Sequence, residues 1–205
     1  SALMPEQGCP TKEDRMPDYT LPFPGRELAD QELTYDVCYA KILPQDRASI
    51  VERAWRKGEQ AARDIFVKYG GETDFFKIAA DSGLVCECVD KDYISGNQRY
   101  FSDYISGQSR IHLYLGAIRL WAQENGMTLE TAQNVILSHE YFHFLEWTKL
   151  GLTSREYQVP MLELGPLKLG KTGVRALSEI GAHAFARTYY ELTEERERQD
   201  EATGI

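Results

Sequence analysis

The segment between Gly126 and Gly151 restricts this chain more than any other, because it reads as one amphipathic helix whose apolar stripe carries two histidines. Thr128 suits an N-cap, Glu130 lies in the first turn where a carboxylate complements the helix dipole, and the two glycines bracket a predicted helix of about 22 residues. Leu129, Ala132, Ile136, His139, His143 and Trp147 fall on one face, so that face is expected to be buried and both imidazoles with it. A solvated helix would carry its histidines on the side of Glu130 and Gln133. The chain has 4 His in all, and this one face takes two of them.

Those two belong to His139-Glu140-Tyr141-Phe142-His143, an HExxH sequence. At ~3.6 residues per turn the rings lie roughly 40° apart around the helix, close enough to close on one metal ion. Glu140 then points beside that ion, where a carboxylate can take the proton of an activated water. Two ligands and a general base in one helical turn point to a zinc-dependent hydrolase.

An open tetrahedral site needs a third protein ligand. Glu146 shares the face but lies about 10 Å along the axis from His139 at ~1.5 Å per residue, so it reads as a partner behind the ligands or as helix surface. Glu179 is the better candidate. It opens the segment Ala176–Ala186, a second predicted helix with small residues at 182, 184 and 186 for close packing, and His183 shares its face at i+4.

Taken together, His139-Glu140-Tyr141-Phe142-His143 and Glu179-x-x-Ala182-His183-x-Phe185-Ala186 resemble the ImmA/IrrE group of gluzincin-type metallopeptidases. The upstream order is similar too: a helix ending near Phe75–Ala80, a turn at Ser82-Gly83, a strand Leu84–Val89, a hairpin-like region, a strand Ile111–Leu115, then the motif helix. The resemblance covers roughly residues 46–192. It implies zinc held by His139, His143 and Glu179, Glu140 as the catalytic base, and a peptide or protein substrate. His183 stands where such enzymes often have Asn or Asp. It is expected to orient a ligand, to bind the metal, or to serve catalysis by hydrogen bonding the oxyanion, a role for which Tyr189 and Tyr190 are the other candidates. The 35 residues between His143 and Glu179 contain Pro160, Gly165, Pro166, Gly170 and Gly173, which predicts a loop-rich lid or a surface excursion.

The expected fold is α+β and zincin-like: a small twisted β-sheet packed by a long N-terminal helix (Asp46–Tyr69) on one side, and by the HExxH helix and the downstream Glu179 helix on the other. Residues 1–25, with Pro5, Pro10, Pro17, Pro22 and Pro24, read as an extended arm, and 26–205 as a single domain. The repeat Asp92-Tyr93-Ile94-Ser95-Gly96 and Asp103-Tyr104-Ile105-Ser106-Gly107 predicts hairpin segments. By resemblance, Ile111–Leu115 is the edge strand that would hold an extended peptide, with His112 facing the cleft or serving structure. Residues Glu191–Glu201 read as a solvated helix end.

With 42% hydrophobic residues the chain can bury a core, and no apolar run is long enough to span a membrane. The net charge of -9 argues against nucleic acid and anionic lipid as partners. No signal-peptide pattern is visible, and Cys9, Cys38, Cys86 and Cys88 form no closely spaced framework, so a cytoplasmic setting is expected; Cys86 and Cys88 read as buried strand cysteines. Two other classes compete: a metal-binding but non-hydrolytic regulatory or interaction protein, and a di-iron carboxylate bundle, which would need a second Glu-x-x-His where this chain has Glu179-x-x-x-His183.

Overall fold

Long runs of helical periodicity alternate with short strand segments bounded by glycines, and the element order follows from that alternation. The computed structural model describes residues 24–203 apart from Asn97, Gly165 and Pro166; the predicted arm, with Cys9, lies almost wholly outside these residues. Helix α1 spans Ala29–Thr34, α2 Arg47–Lys68 and α3 Phe75–Asp81. Five strands follow, β1 (Val85–Val89), β2 (Tyr93–Ser95), β3 (Gln98–Tyr100), β4 (Ser102–Ile105) and β5 (Arg110–Tyr114). Then come α4 (Leu115–Glu124), α5 (Leu129–Leu145), a hairpin of β6 (Gln158–Leu164) and β7 (Leu167–Gly173), and α6 (Ala176–Thr203).

Helix α2 carries the predicted apolar stripe, burying Ile50, Val51, Ala54, Trp55, Ala61, Ala62 and Ile65. It ends where Gly70 and Gly71 take φ of 60° and 73°, conformations that cost a Cβ-bearing residue energy. The partner of α2 differs from expectation. It packs on α6 rather than on the sheet, because α6 is apolar on two faces. Ala182, Phe185 and Tyr189 join the core formed with α3, α4, α5, the sheet and the C-terminal half of α2, whereas Ala176, Leu177, Ile180 and Ala184 join a second core with α1 and the N-terminal half of α2. The small residues of α6 permit this double contact, as their spacing predicts. A Cβ at Gly58 of α2 would overlap the Gly181 carbonyl oxygen.

The main sheet has the order β1-β5-β4, with β1 parallel and β4 antiparallel to β5. The strand expected as the edge, Ile111–Leu115, is therefore central, and β4 is the edge that lies along α5. Its two buried inward residues, Ile111 and Leu113, explain the central position. Both copies of the repeated pentapeptide enter strands, β2 and β4.

Four further expectations change. The helix expected to end near Phe75–Ala80 ends at Asp81, and it is a separate short helix that begins at Phe75, capped by Asp74, whose carboxylate accepts from Phe76 N at 3.0 Å. Helix α4 intervenes between β5 and the motif helix. The insert after His143 is ordered by the β6–β7 hairpin and short helical turns rather than being mostly irregular loop. The motif helix is α-helical only to Leu145 and continues as a π-helical turn, Glu146–Leu150, which swings Trp147 out to 53% exposure instead of leaving it on the buried stripe. Cys86 is half-buried and Cys88 exposed, and these and the buried Cys38 are free thiols. Among the described residues no helix is long and apolar enough to cross a membrane.

Candidate metal centre

Helix α5 starts as its sequence predicts, with Thr128 Oγ1 accepting from Thr131 N at 3.1 Å. The i,i+4 spacing then sets the ring centroids of His139 and His143 5.0 Å apart. Helix α6 approaches α5 closely because Gly181 offers no side chain to Phe142; a Cβ there would lie 2.8 Å from the Phe142 ring. This contact fixes the register of the two helices. Glu179, two residues earlier on α6, consequently lies between the imidazoles, with Oε2 3.3 Å from His139 Nε2 and Oε1 3.6 Å from His143 Nε2.

These separations test whether the residues suit a metal. Four-coordinate zinc with bonds of about 2.0–2.1 Å holds its ligands about 3.3–3.4 Å apart. The 3.3 Å between Glu179 Oε2 and His139 matches that tetrahedral edge, whereas the 3.6 Å between Glu179 Oε1 and His143 is longer and runs to the other oxygen. His183, one turn beyond Glu179, has its ring centroid 5.2 Å from that of His139. The ligand atoms of His139, Glu179 and His183 all lie within 4.8 Å of one another, a group that could hold a metal ion. His143 lies outside that group and stands beside it, with Nε2 on the other oxygen of Glu179. The side chain of Glu179 is 46% exposed, so the cluster opens toward solvent.

Glu146 stands behind this cluster and not in it. It is only 2% exposed, and each oxygen is occupied: Oε2 lies 3.0 Å from His143 Nδ1, while Oε1 accepts from Thr153 N at 2.8 Å and Ser178 Oγ at 2.9 Å. A carboxylate on the far nitrogen of a histidine fixes its tautomer and turns its other nitrogen toward the metal position. Neither Thr153 nor Ser178 carries any sequence signal for this task. Thr153 arrives only because the π-helical turn reverses the chain.

The charges follow from the same geometry. Burial works against a charged Glu179, but hydrogen bonds and charges from His139 and His143 outweigh it and hold its carboxyl far below the usual range. Burial likewise opposes the imidazolium of His143, yet Glu146 and Glu179 keep its pKa well above the ordinary value. His183 behaves oppositely: burial, reinforced by the neighbouring His139, pushes it down to about 3, so its ring is neutral at neutral pH. Glu32 of α1, half-buried, is pushed up by burial and by Glu179, with His139 opposing. That electrostatic contact places α1 beside the cluster, which no pattern around Glu32 announces.

Glu140 faces the sheet side of α5, where Oε1 accepts from Ser102 Oγ of β4 at 2.6 Å. Other candidates fall elsewhere. Tyr189 is buried beside Phe75 and donates to the Glu72 carbonyl at 2.6 Å, and Tyr190 lines a groove with Thr131, Asn134 and Thr193. His112 lies on the outer face of the sheet between Asp103 (2.8 Å) and Glu87 (3.4 Å), where it cross-links strands. No protein-family model, curated protein or solved structure matches the chain.

Proposed function

We propose that this protein is a zinc-dependent peptidase. The observation that supports it best is the insertion of Glu179 between His139 and His143, 3.3 and 3.6 Å from their Nε2 atoms, with Glu140 turned to the neighbouring side of the same helix. In this reading His139, His143 and Glu179 hold the ion, which supplies a polarised carbonyl and an acidified water. Glu146 keeps the His143 ring turned toward the site. Glu140 takes the proton of the attacking water and returns it to the leaving amine, which a carboxylate within reach of both can do. Neutral His183 offers a ring N–H for the developing oxyanion. The β4 edge beside α5 leaves backbone groups open to pair with an extended peptide or protein substrate.

The test is cleavage of self-quenched fluorescein-casein by zinc-loaded protein, beside Glu140→Gln. Zinc-dependent cleavage that collapses in Glu140→Gln while zinc stays bound is expected. Equal rates in both would contradict the assignment.

A second reading has one observation in its favour. Because His183 can join His139 and Glu179 around a metal, four protein ligands could close the site, as in a regulatory or structural centre. A di-iron bundle fits less well: the sheet would have no place in it, and the downstream pair keeps i+4 spacing.

A further inference from the structure

We propose that Ser102 is a positioning residue for Glu140, a role that rests on the peptidase reading. A glutamate on a helix surface has three rotatable bonds and no fixed carboxylate plane, whereas a base must be aimed at one proton. Ser102 supplies the missing constraint. Its hydroxyl donates to Glu140 Oε1 at 2.6 Å, and among the described residues Oε2 accepts no hydrogen bond, which leaves it for the proton it must take.

The strand register explains why Ser102 can do this. It pairs with Leu113, which is fully buried, so its side chain points inward to α5. Asp103, one residue on, points to the outer face and meets His112 at 2.8 Å. A one-residue slip of β4 would present an acid to Glu140 in place of a hydroxyl. Because β4 is also an edge strand, a chain pairing with it would touch the residue that aims the base.

A purely structural Ser102, tying β4 to α5, predicts different data. The experiment measures kcat, KM, zinc content and Tm for the zinc-loaded protein and for Ser102→Ala, Ser102→Thr, Glu140→Gln and the Ser102→Ala/Glu140→Gln double variant, with self-quenched fluorescein-casein as substrate. Ser102→Ala should lower kcat about 10–100-fold, within the range for a misaimed base, while KM and zinc content hold. Ser102→Thr, which keeps the hydroxyl and suits a strand, should restore most of it. In the Glu140→Gln background Ser102→Ala should have no further effect, since the residue it acts through is gone. Wild-type kcat in Ser102→Ala overturns the proposal, as does a loss of equal size in both backgrounds. Wild type no faster than Glu140→Gln with zinc bound sinks the peptidase reading and this proposal together, a pattern distinct from failure of Ser102 alone.

Discussion

Replacing Glu146 with Gln perturbs the centre without touching a ligand. The carboxylate has no exposed surface to relax into and accepts on both oxygens, from Thr153 N and Ser178 Oγ on one side and at His143 on the other. An amide has one accepting oxygen. If it serves Thr153 and Ser178, its NH2 faces His143 Nδ1, so the ring must present a lone pair there and a proton toward the metal position. If it flips, the Thr153 N–H loses its acceptor. Leaving a buried donor unsatisfied costs about 1–3 kcal/mol, and loss of a partner behind a ligand costs ~10–100-fold in metal affinity, about 1.4–2.7 kcal/mol. Glu146→Gln is therefore expected to weaken zinc by that factor and to destabilise the metal-free fold by about 1–3 kcal/mol, whereas Glu146→Ala, which empties the position, should approach the ~3–5 kcal/mol of a broken buried pair. Competition against a chromophoric chelator reads the first quantity and urea unfolding of metal-free protein the second. Zinc affinity within twofold of wild type, with unchanged unfolding, would refute the role given to Glu146.

Ligand substitutions should rank in order: His139→Ala, His143→Ala and Glu179→Ala abolish stoichiometric zinc, while His183→Ala costs ~10–100-fold if it only orients, read by metal analysis after dialysis. The sign of the pH dependence follows from His143. Its raised pKa means the metal-free ring carries a proton that zinc must displace, so affinity should keep rising with pH above the ordinary 6.5, with proton release measurable by calorimetry in buffers of different ionisation enthalpy. For His183 the sign is reversed. A folded pKa of about 3 against 6.5 unfolded means its neutral ring favours folding above 6.5, and that contribution drains away as pH falls toward 3; Tm of metal-free His183→Asn should decline less over that window than wild type. Gly58→Ala tests the α2–α6 contact. Helix propensity alone would favour Ala by ~1 kcal/mol, but overlap with the Gly181 carbonyl should reverse the sign to a net loss of about 1–3 kcal/mol in urea unfolding.

Residues whose role follows from their own helix were legible in the sequence. The spacing of His139 and His143, the Thr128 cap and the i+4 relation of Glu179 to His183 are local facts, and the structure builds on each. What sequence could not supply were the partners set by tertiary register. Ser102 reaches Glu140 only because β4 pairs with β5 in one register, and β5 is central rather than an edge because β1 pairs with its other side. Thr153 and Ser178 depend on the π-helical turn, and Glu32 on how α1 drapes over α6. The stripe on α5 misplaced Trp147 because a period of 3.6 was extended into a turn that does not keep it.

The most direct measurement is the anomalous-scattering crystal structure of zinc-reconstituted protein. One zinc bound by His139, His143 and Glu179 at about 2.0–2.2 Å to nitrogen and oxygen, with water in the remaining position, is the predicted result. Zinc bound by His183 with no water, or Glu179 turned away from the ion, would contradict it.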